Sequence, residues 1–582
     1  MRLEEYWGIG PKTSELLTEE LGVERAVEAI ESADTRTLTS AGLSRGRATR
    51  ILRRATGAES MDLLATRDTR NVYKELLDVA EEYAVTPDAA DRIRVLTPLP
   101  TREKMEDRLD DVLAARDTWA SLAETDQRAI LGAFEAHDEG GERAAVETAL
   151  ALQATGVEAG VFERVAALDG DALADARAAL AGLAGDDERV GEGADDELDR
   201  LRDQLGQVED LAAATPEVVE AVQERARRPD EFPDALVRHV TGETGIDGAR
   251  VRDAMPGDAT DARDFVDAAL RELRRSLRTA VEDREATVTD QLSEQLAAAR
   301  PTIDAAVAAI GDLALSVSLA RFAIRYDLRR PTFVDRDTIA VKNARNLALA
   351  DTESVQPVTY AVGDHTLDVP RPTNPPSGDR VAVLTGANSG GKTTLLETLC
   401  QVQLLAQMGL PVPAEAAEVG PVDTVVFHRR HASFNAGVLE STLRSVVPPL
   451  TGGDRALMLV DEFEAITEPG SAADLLHGLV TLTVDRGALG VFVTHLAADL
   501  EPLPEVARTD GIFAEGLSPD LELQVDYQPR FGTVGKSTPE FIVSRLVANA
   551  TDPTERSGFE TLAEAVGEEA VQRTLSDAMW SE

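Results

Sequence analysis

The stretch Val381–Thr394, VAVLTGANSGGKTT, decides the fold of this chain. Val381 to Leu384 are four apolar residues in a row, the mark of a strand buried on both faces. Gly386, Gly391, Lys392 and Thr393 then fit G-x-x-x-x-G-K-[ST], and an apolar helix follows over Leu395 to Met408. Glycines let backbone N–H groups converge on phosphate oxygens, and the helix N-terminus adds its positive end. The candidate ATP-binding residues are therefore Gly386, Ala387, Asn388, Ser389, Gly390, Gly391, Lys392, Thr393 and Thr394. Lys392 is placed to reach the β- and γ-phosphates, and the Thr393 hydroxyl to coordinate Mg²⁺.

The second half of such a site lies downstream. Leu457 to Val460 make another buried strand, and Asp461 and Glu462 sit at its end. Asp461, with Thr393, is the expected metal partner. Glu462 is the expected base that polarises the attacking water. His495 ends the next apolar run, Gly490 to Thr494, and is read as a sensor of the γ-phosphate. Lys392, Glu462 and His495 are thus the catalytic candidates. His428 and His431 lie near a strand end, but no third ligand supports them, and they are read as not binding metal. Apolar runs at Val425 to Arg429, Ala456 to Val460 and Gly490 to His495 alternate with helical segments, which implies an α/β domain over 331–545 with a mostly parallel sheet.

The bulk composition speaks of solvent more than of partner. Asp plus Glu number 105 against 59 Lys plus Arg, a net charge of −46. Lysine is confined to Lys12, Lys74, Lys104, Lys342, Lys392 and Lys536. Evenly spread carboxylates with arginine in place of lysine fit a halophilic, salt-filled cytoplasm that screens their repulsion. The single cysteine, Cys400, excludes an internal disulfide framework. The N-terminus has no basic-then-apolar leader, and no apolar run is read as long enough for a membrane span, so a cytoplasmic protein is expected.

Residues 1–57 contain two similar segments, each read as helix, tight glycine turn, helix. One turns at Gly8-Ile9-Gly10 before Lys12, the other at Gly42-Leu43-Ser44 before Arg45 and Arg47. Such turns hold DNA phosphate through backbone amides, with little sequence information. Gly8, Gly10, Lys12, Gly42, Arg45 and Arg47 are the candidate DNA contacts, on a basic face within an acidic chain. Residues 58–330 are almost wholly helical in pattern, broken at Pro87, at Pro98 to Pro100 and at 185–193. Leu198, Leu201, Leu205 and Val208 follow a three–four spacing, as do Leu270, Leu273, Leu277 and Val281. Two long paired arms and an ordinary helical bundle both satisfy that spacing. Residues 546–582 read as a helical tail and a possible dimer contact.

Taken together these motifs resemble the MutS family of DNA-repair ATPases. The likeness runs through Val412-Pro413-Ala414 after the loop helix, Ser441-Thr442-Leu443, Glu468-Pro469-Gly470 and Thr494-His495. It implies a multidomain chain: an all-α helix–hairpin–helix unit, an all-α core with lever and clamp arms, and an ABC-type α/β ATPase domain. It also implies a homodimer in which Ser441 and Thr442 contact nucleotide held by the other subunit. Ala387 and Ser389 replace the usual proline and methionine, and Leu443 the usual phenylalanine. The N-terminal hairpins stand where mismatch-repair members carry a mismatch-reading domain, and no Phe-x-Glu wedge is evident. The pattern is similar to an archaeal MutS-related subfamily with ATPase activity and non-specific DNA binding, acting in repair or recombination. Two other readings are a long-armed chromosome-structure ATPase and a transport ATPase subunit; the latter lacks its leucine–serine–glycine–glycine–glutamine signature.

Overall fold

The structure is a computed structural model. It describes residues 3–574 apart from 7–8, 32–33, 58–59, 136–140, 184–189, 227, 351–354, 387–390, 431–435, 453–454, 464–468, 519, 536–538 and 568–570. The described chain divides into two compact units. One comprises 1–128, 159–161 and 311–582, the other 129–158 and 162–310. Of the segments read from sequence, 58–330 is divided between the two units, and 1–57, 331–545 and 546–582 fall in the first.

The first unit holds ten strands: β1 (Thr332–Phe333), β2 (Thr338–Ala344), β3 (Val358–Gly363), β4 (Val381–Gly386), β5 (Ala416–Val419), β6 (Thr424–His428), β7 (Ala456–Asp461), β8 (Leu489–Val493), β9 (Ala507–Leu517) and β10 (Leu523–Phe531). Six of them form one sheet in the order β10-β9-β4-β8-β7-β6. Its members run parallel from β9 to β6, and β10 closes one edge antiparallel to β9. Side chains alternate across the sheet. Ala382, Leu384, Leu457 and Leu459 face a core with Leu396 and Leu399 of the helix Lys392–Gln407. Val381, Val383, Met458 and Val460 face a second core with Val446 and Leu476, from the helices Ala436–Thr451 and Pro469–Asp485. Both faces are covered, which is why these strands read as unbroken apolar runs. A second, four-stranded sheet, β1-β5-β2-β3, is mostly antiparallel. The sequence reading of 331–545 did not separate it, because its strands are short and lie far apart in the chain.

The edge strand β6 is covered from a distance in sequence. Thr66 caps the helix Arg67–Glu81 and its hydroxyl also donates to Phe427 O at 2.5 Å. Thr69 Oγ1 donates to Val425 O at 3.1 Å and accepts from Phe427 N at 2.9 Å. Asp68 Oδ2 accepts from Arg429 N at 2.9 Å. These bonds give an exposed ladder its partners. Cys400 is fully buried, and burial pushes its thiol well up, so it packs and does not react.

In the N-terminal part, the helices Pro11–Glu20, Val23–Glu31, Thr35–Ser40 and Arg45–Gly57 enclose Leu17, Ile30, Leu38, Ile51 and Leu52. The second glycine turn joins two helices as read. The first does not: among the described residues a three-residue 3₁₀ turn, Leu3–Glu5, precedes Pro11. Pro87, read as a break, is the first residue of the helix Pro87–Arg94, where its missing N–H costs nothing.

The second unit settles the choice between arms and bundle in part. The helix Asp196–Ala213 pairs antiparallel with the 64-residue helix Ala262–Arg325, through Arg284–Asp195, Arg202–Glu285 and Arg278–Glu209. Leu198, Leu201, Val208, Leu270, Leu273, Leu277 and Val281 share one core there. The helices Thr215–Arg225, Phe232–Thr244 and Gly248–Asp253 add Val222, Leu236 and Val251 to it, so the pair is part of a bundle. The long helix also qualifies the membrane reading. It contains a window of mean hydropathy 1.7, but 56% of that window is buried inside the fold.

Asp195 ties this bundle together. It caps Asp196–Ala213 by accepting from Leu198 N at 2.8 Å and takes both Nε and Nη2 of Arg284 at 2.9 and 2.6 Å. The guanidinium holds its carboxyl down at about 2. Asp195→Ala is expected to lower the opening free energy of that helix by about 1–2 kcal/mol, read by amide hydrogen exchange in the whole chain. The depressed folded value means the difference is full above the unfolded carboxyl pKa of about 4 and fades as pH falls toward 2. Unchanged protection at neutral pH contradicts this.

Candidate active site

The parallel strands bring three of their C-terminal ends together. β4 delivers Gly386, β7 delivers Asp461, and the turn after β8 delivers His495. Gly386 has φ +126, and a Cβ there would stand 2.1 Å from Ile512 O. No side chain fits between β4 and β9 at that point. Gly391, at φ +70, precedes the helix Lys392–Gln407, which begins three residues earlier than the periodicity indicates. Ala387, Asn388, Ser389 and Gly390 lie outside the described residues. Lys392 is buried, and its Nζ donates to Gly386 O at 2.8 Å, so the ammonium is held across the mouth of the loop.

Thr393 Oγ1 donates to Asp461 Oδ2 at 2.7 Å. The other oxygen, Asp461 Oδ1, is buried with no hydrogen-bond partner among the described residues. Burial pushes the Asp461 carboxyl up, and the bond from Thr393 offsets part of that. A hydroxyl and a carboxylate side by side, with one carboxylate oxygen unsatisfied, fit a hard divalent cation with oxygen ligands.

Glu462 follows at φ +43, a left-handed conformation that a glutamate rarely adopts. Its N–H donates to Val493 O at 3.0 Å, which fixes the turn against β8. His495 Nε2 donates to Glu462 Oε1 at 3.0 Å, and Arg430 Nη1 pairs with Oε2 at 2.6 Å. The His495 hydrogen bond, then the Arg430 charge, holds the Glu462 carboxyl below the usual range. The structure brings the two candidates Glu462 and His495 together and adds Arg430, which the sequence reading did not single out.

Two further neighbours were also missed. The Tyr527 ring stands 2.9 Å from where a Cβ on Gly391 would lie. Gly535 N donates to Thr385 Oγ1 at 2.6 Å, which seats the segment after β10 on the start of the loop. No local motif marks either residue; only the antiparallel return of β10 brings them in.

The other candidates lie elsewhere. Ser441 is exposed on the helix Ala436–Thr451, whereas Thr442 is 4% exposed and points into the fold. His428 is buried at the end of β6, and His431 lies outside the described residues. In the N-terminal helices, Gly8 also lies outside them, and Lys12 is exposed. Gly10 is the N-cap of Pro11–Glu20. Gly42, at φ +90, turns its N–H inward to Thr39 O at 3.0 Å. Arg45 Nε donates to Asp91 at 2.8 Å. Arg47 bonds the Thr13 hydroxyl. Both are third residues of their helices, so the two N-termini lie side by side.

Residues 382–448 match MutS domain V. The MutS-type stretch runs from β4 through the loop helix to the helix that carries Ser441. Over 203 residues the chain is 45% identical to the DNA-binding protein MutS2 of Pyrococcus furiosus, covering 35% of each chain. It is 31% identical over 246 residues to the DNA mismatch repair protein MutS of Natronomonas pharaonis, covering 40% of this chain and 27% of that one. It is 26% identical over 277 residues to the endonuclease MutS2 of Ruminiclostridium cellulolyticum, covering 46% and 32%. The chain spans about a third of the length of these relatives. The matches support the MutS family, and they do not distinguish a subfamily.

Gly386→Ala tests the geometry of the MutS-type loop. The added methyl is expected to cost roughly 2–4 kcal/mol, lowering the unfolding midpoint and abolishing binding of a fluorescent ATP analogue. An unchanged midpoint and affinity contradict the close approach to Ile512.

Proposed function

We propose that the protein is a MutS-like, Mg²⁺-dependent ATP hydrolase that binds DNA with little regard to sequence and works as a homodimeric clamp. The observation that carries this is the bonded series Thr393–Asp461 and Glu462–His495 beside Gly386 and Lys392. Lys392 would neutralise the β- and γ-phosphates, aided by the helix N-terminus behind Gly391. Thr393 and Asp461 would hold the cation, which when bound draws charge off the phosphate oxygens. Glu462 would take the proton of the attacking water, with His495 fixing its orientation and sensing the γ-phosphate. Ser441, which is exposed, would reach a neighbouring subunit's nucleotide, and buried Thr442 would support it from behind.

DNA binding is supported by the similarity to the DNA-binding protein of Pyrococcus furiosus and by the adjoining helix N-termini at Lys12–Thr13 and Arg45–Arg47. Arg45 is partly spent on Asp91, so backbone amides, Lys12 and Arg47 would carry most of the phosphate contact. Such contacts weaken steeply with salt. In a salt-rich cytoplasm, retention would therefore depend on enclosure by the helical arms, gated by ATP. Phosphate contact through backbone amides carries little sequence information, which favours gripping DNA in repair or recombination over reading mismatches.

Lys392→Ala is expected to lose ATP hydrolysis and most ATP binding. Glu462→Gln should still bind ATP but hydrolyse it roughly 10²- to 10⁴-fold more slowly. Phosphate release by Glu462→Gln at the parent rate removes the base assignment. In high salt with ATP, closed circular DNA should be retained longer than linear DNA of the same length. Equal dissociation from both removes the enclosure reading.

A further inference from the structure

Arg430 has no part in the motifs that mark the site, yet it covers the group expected to do the chemistry. The Glu462 side chain is only 11% exposed, whereas that of Arg430 is 57% exposed. The guanidinium therefore lies on the solvent side of the carboxylate. A general base needs an oxygen directed at water within about 2.6–3.2 Å. Here Oε2 is held by Arg430 at 2.6 Å and Oε1 by His495 at 3.0 Å. The Glu462 N–H is bonded to Val493 O, which ties the backbone beneath the carboxylate to β8. Lys392 and Asp461 complete the charged surroundings of this group.

The chain around Arg430 shows where movement would enter. Arg429, just before it, is anchored. Its N–H is bonded to Asp68, and its Nη2 lies 2.6 Å from Glu397 and 3.6 Å from Glu75. Arg430, the next residue, is itself bonded to Asp461 through its backbone, so movement falls to its side chain. A part-exposed ion pair of this kind is readily broken.

We infer that Arg430 is a brake on hydrolysis: its guanidinium masks Glu462 and must swing away before the carboxylate can take a proton from water. The inference rests on Glu462 being the base. Arg430 is then a positioning residue, acting only through Glu462. While the pair stays closed, ATP is bound but turned over slowly.

The test is steady-state phosphate release by the full chain at saturating Mg-ATP. Arg430→Gln should raise kcat roughly three- to tenfold, the scale on which a part-exposed ion pair shifts an equilibrium, with KM for ATP and the unfolding midpoint unchanged. Arg430→Met, of similar length and without charge, should do the same and guards against a local fault of one variant. Arg430→Lys should stay near the parent rate, because an ammonium can still pair. The double variant Arg430→Gln, Glu462→Gln should be as slow as Glu462→Gln alone. A kcat for both neutral variants at or below that of the parent overturns the brake. If Glu462→Gln alone matches the parent, the base assignment itself is at fault and the brake falls with it.

Discussion

The hydrogen bond from Thr393 to Asp461 is the constraint on which the rest of the site depends. It spans 2.7 Å between the first turn of the loop helix and the end of a central strand. Asp461 is 3% exposed, and an ionised carboxylate is tolerated there only if its oxygens find partners. Thr393 satisfies one oxygen, and the other has no hydrogen-bond partner among the described residues. The geometry is available because β4 and β7 both flank β8 in a parallel sheet, so their C-terminal ends open on the same side. Apolar alternation on both faces fixes the register of those strands, and the register fixes the distance from Thr393 to Asp461.

The two edges of that sheet are managed differently, and each difference bears on the site. At one edge β10 returns antiparallel and carries Tyr527 and the segment of Gly535 back to the phosphate loop. At the other, Thr66, Asp68 and Thr69 bond to β6 and fasten the helix Arg67–Glu81 to the strand that ends at His428. Helical residues far upstream thereby share hydrogen bonds with the strand leading to Arg430. A push on the helix Arg67–Glu81 therefore has a bonded route toward Glu462.

Much of this was legible in the sequence. Gly386, Lys392, Thr393, Asp461 and Glu462 each follow an apolar run, so strand ends and helix starts locate them without knowledge of the fold. What could not be read is long-range. Thr66 meets Phe427 across more than 350 residues of chain, and a threonine before a helix looks only like a cap. Arg430 looks like one more surface arginine in a chain with 59 basic residues. The spacing of Leu198 to Val208 and of Leu270 to Val281 is the same for a pair of arms and for a bundle, because both bury a stripe of similar width. The burial of Thr442 beside exposed Ser441 depends on the facing of one helix, which two adjacent letters do not fix.

The central claim is that this sheet edge hydrolyses ATP and that the cycle is linked to DNA. Phosphate release by the purified chain, measured in high salt with Mg-ATP and with or without closed circular DNA, tests it most directly. The account gives steady turnover that changes when DNA is added. No phosphate release above background under either condition contradicts it.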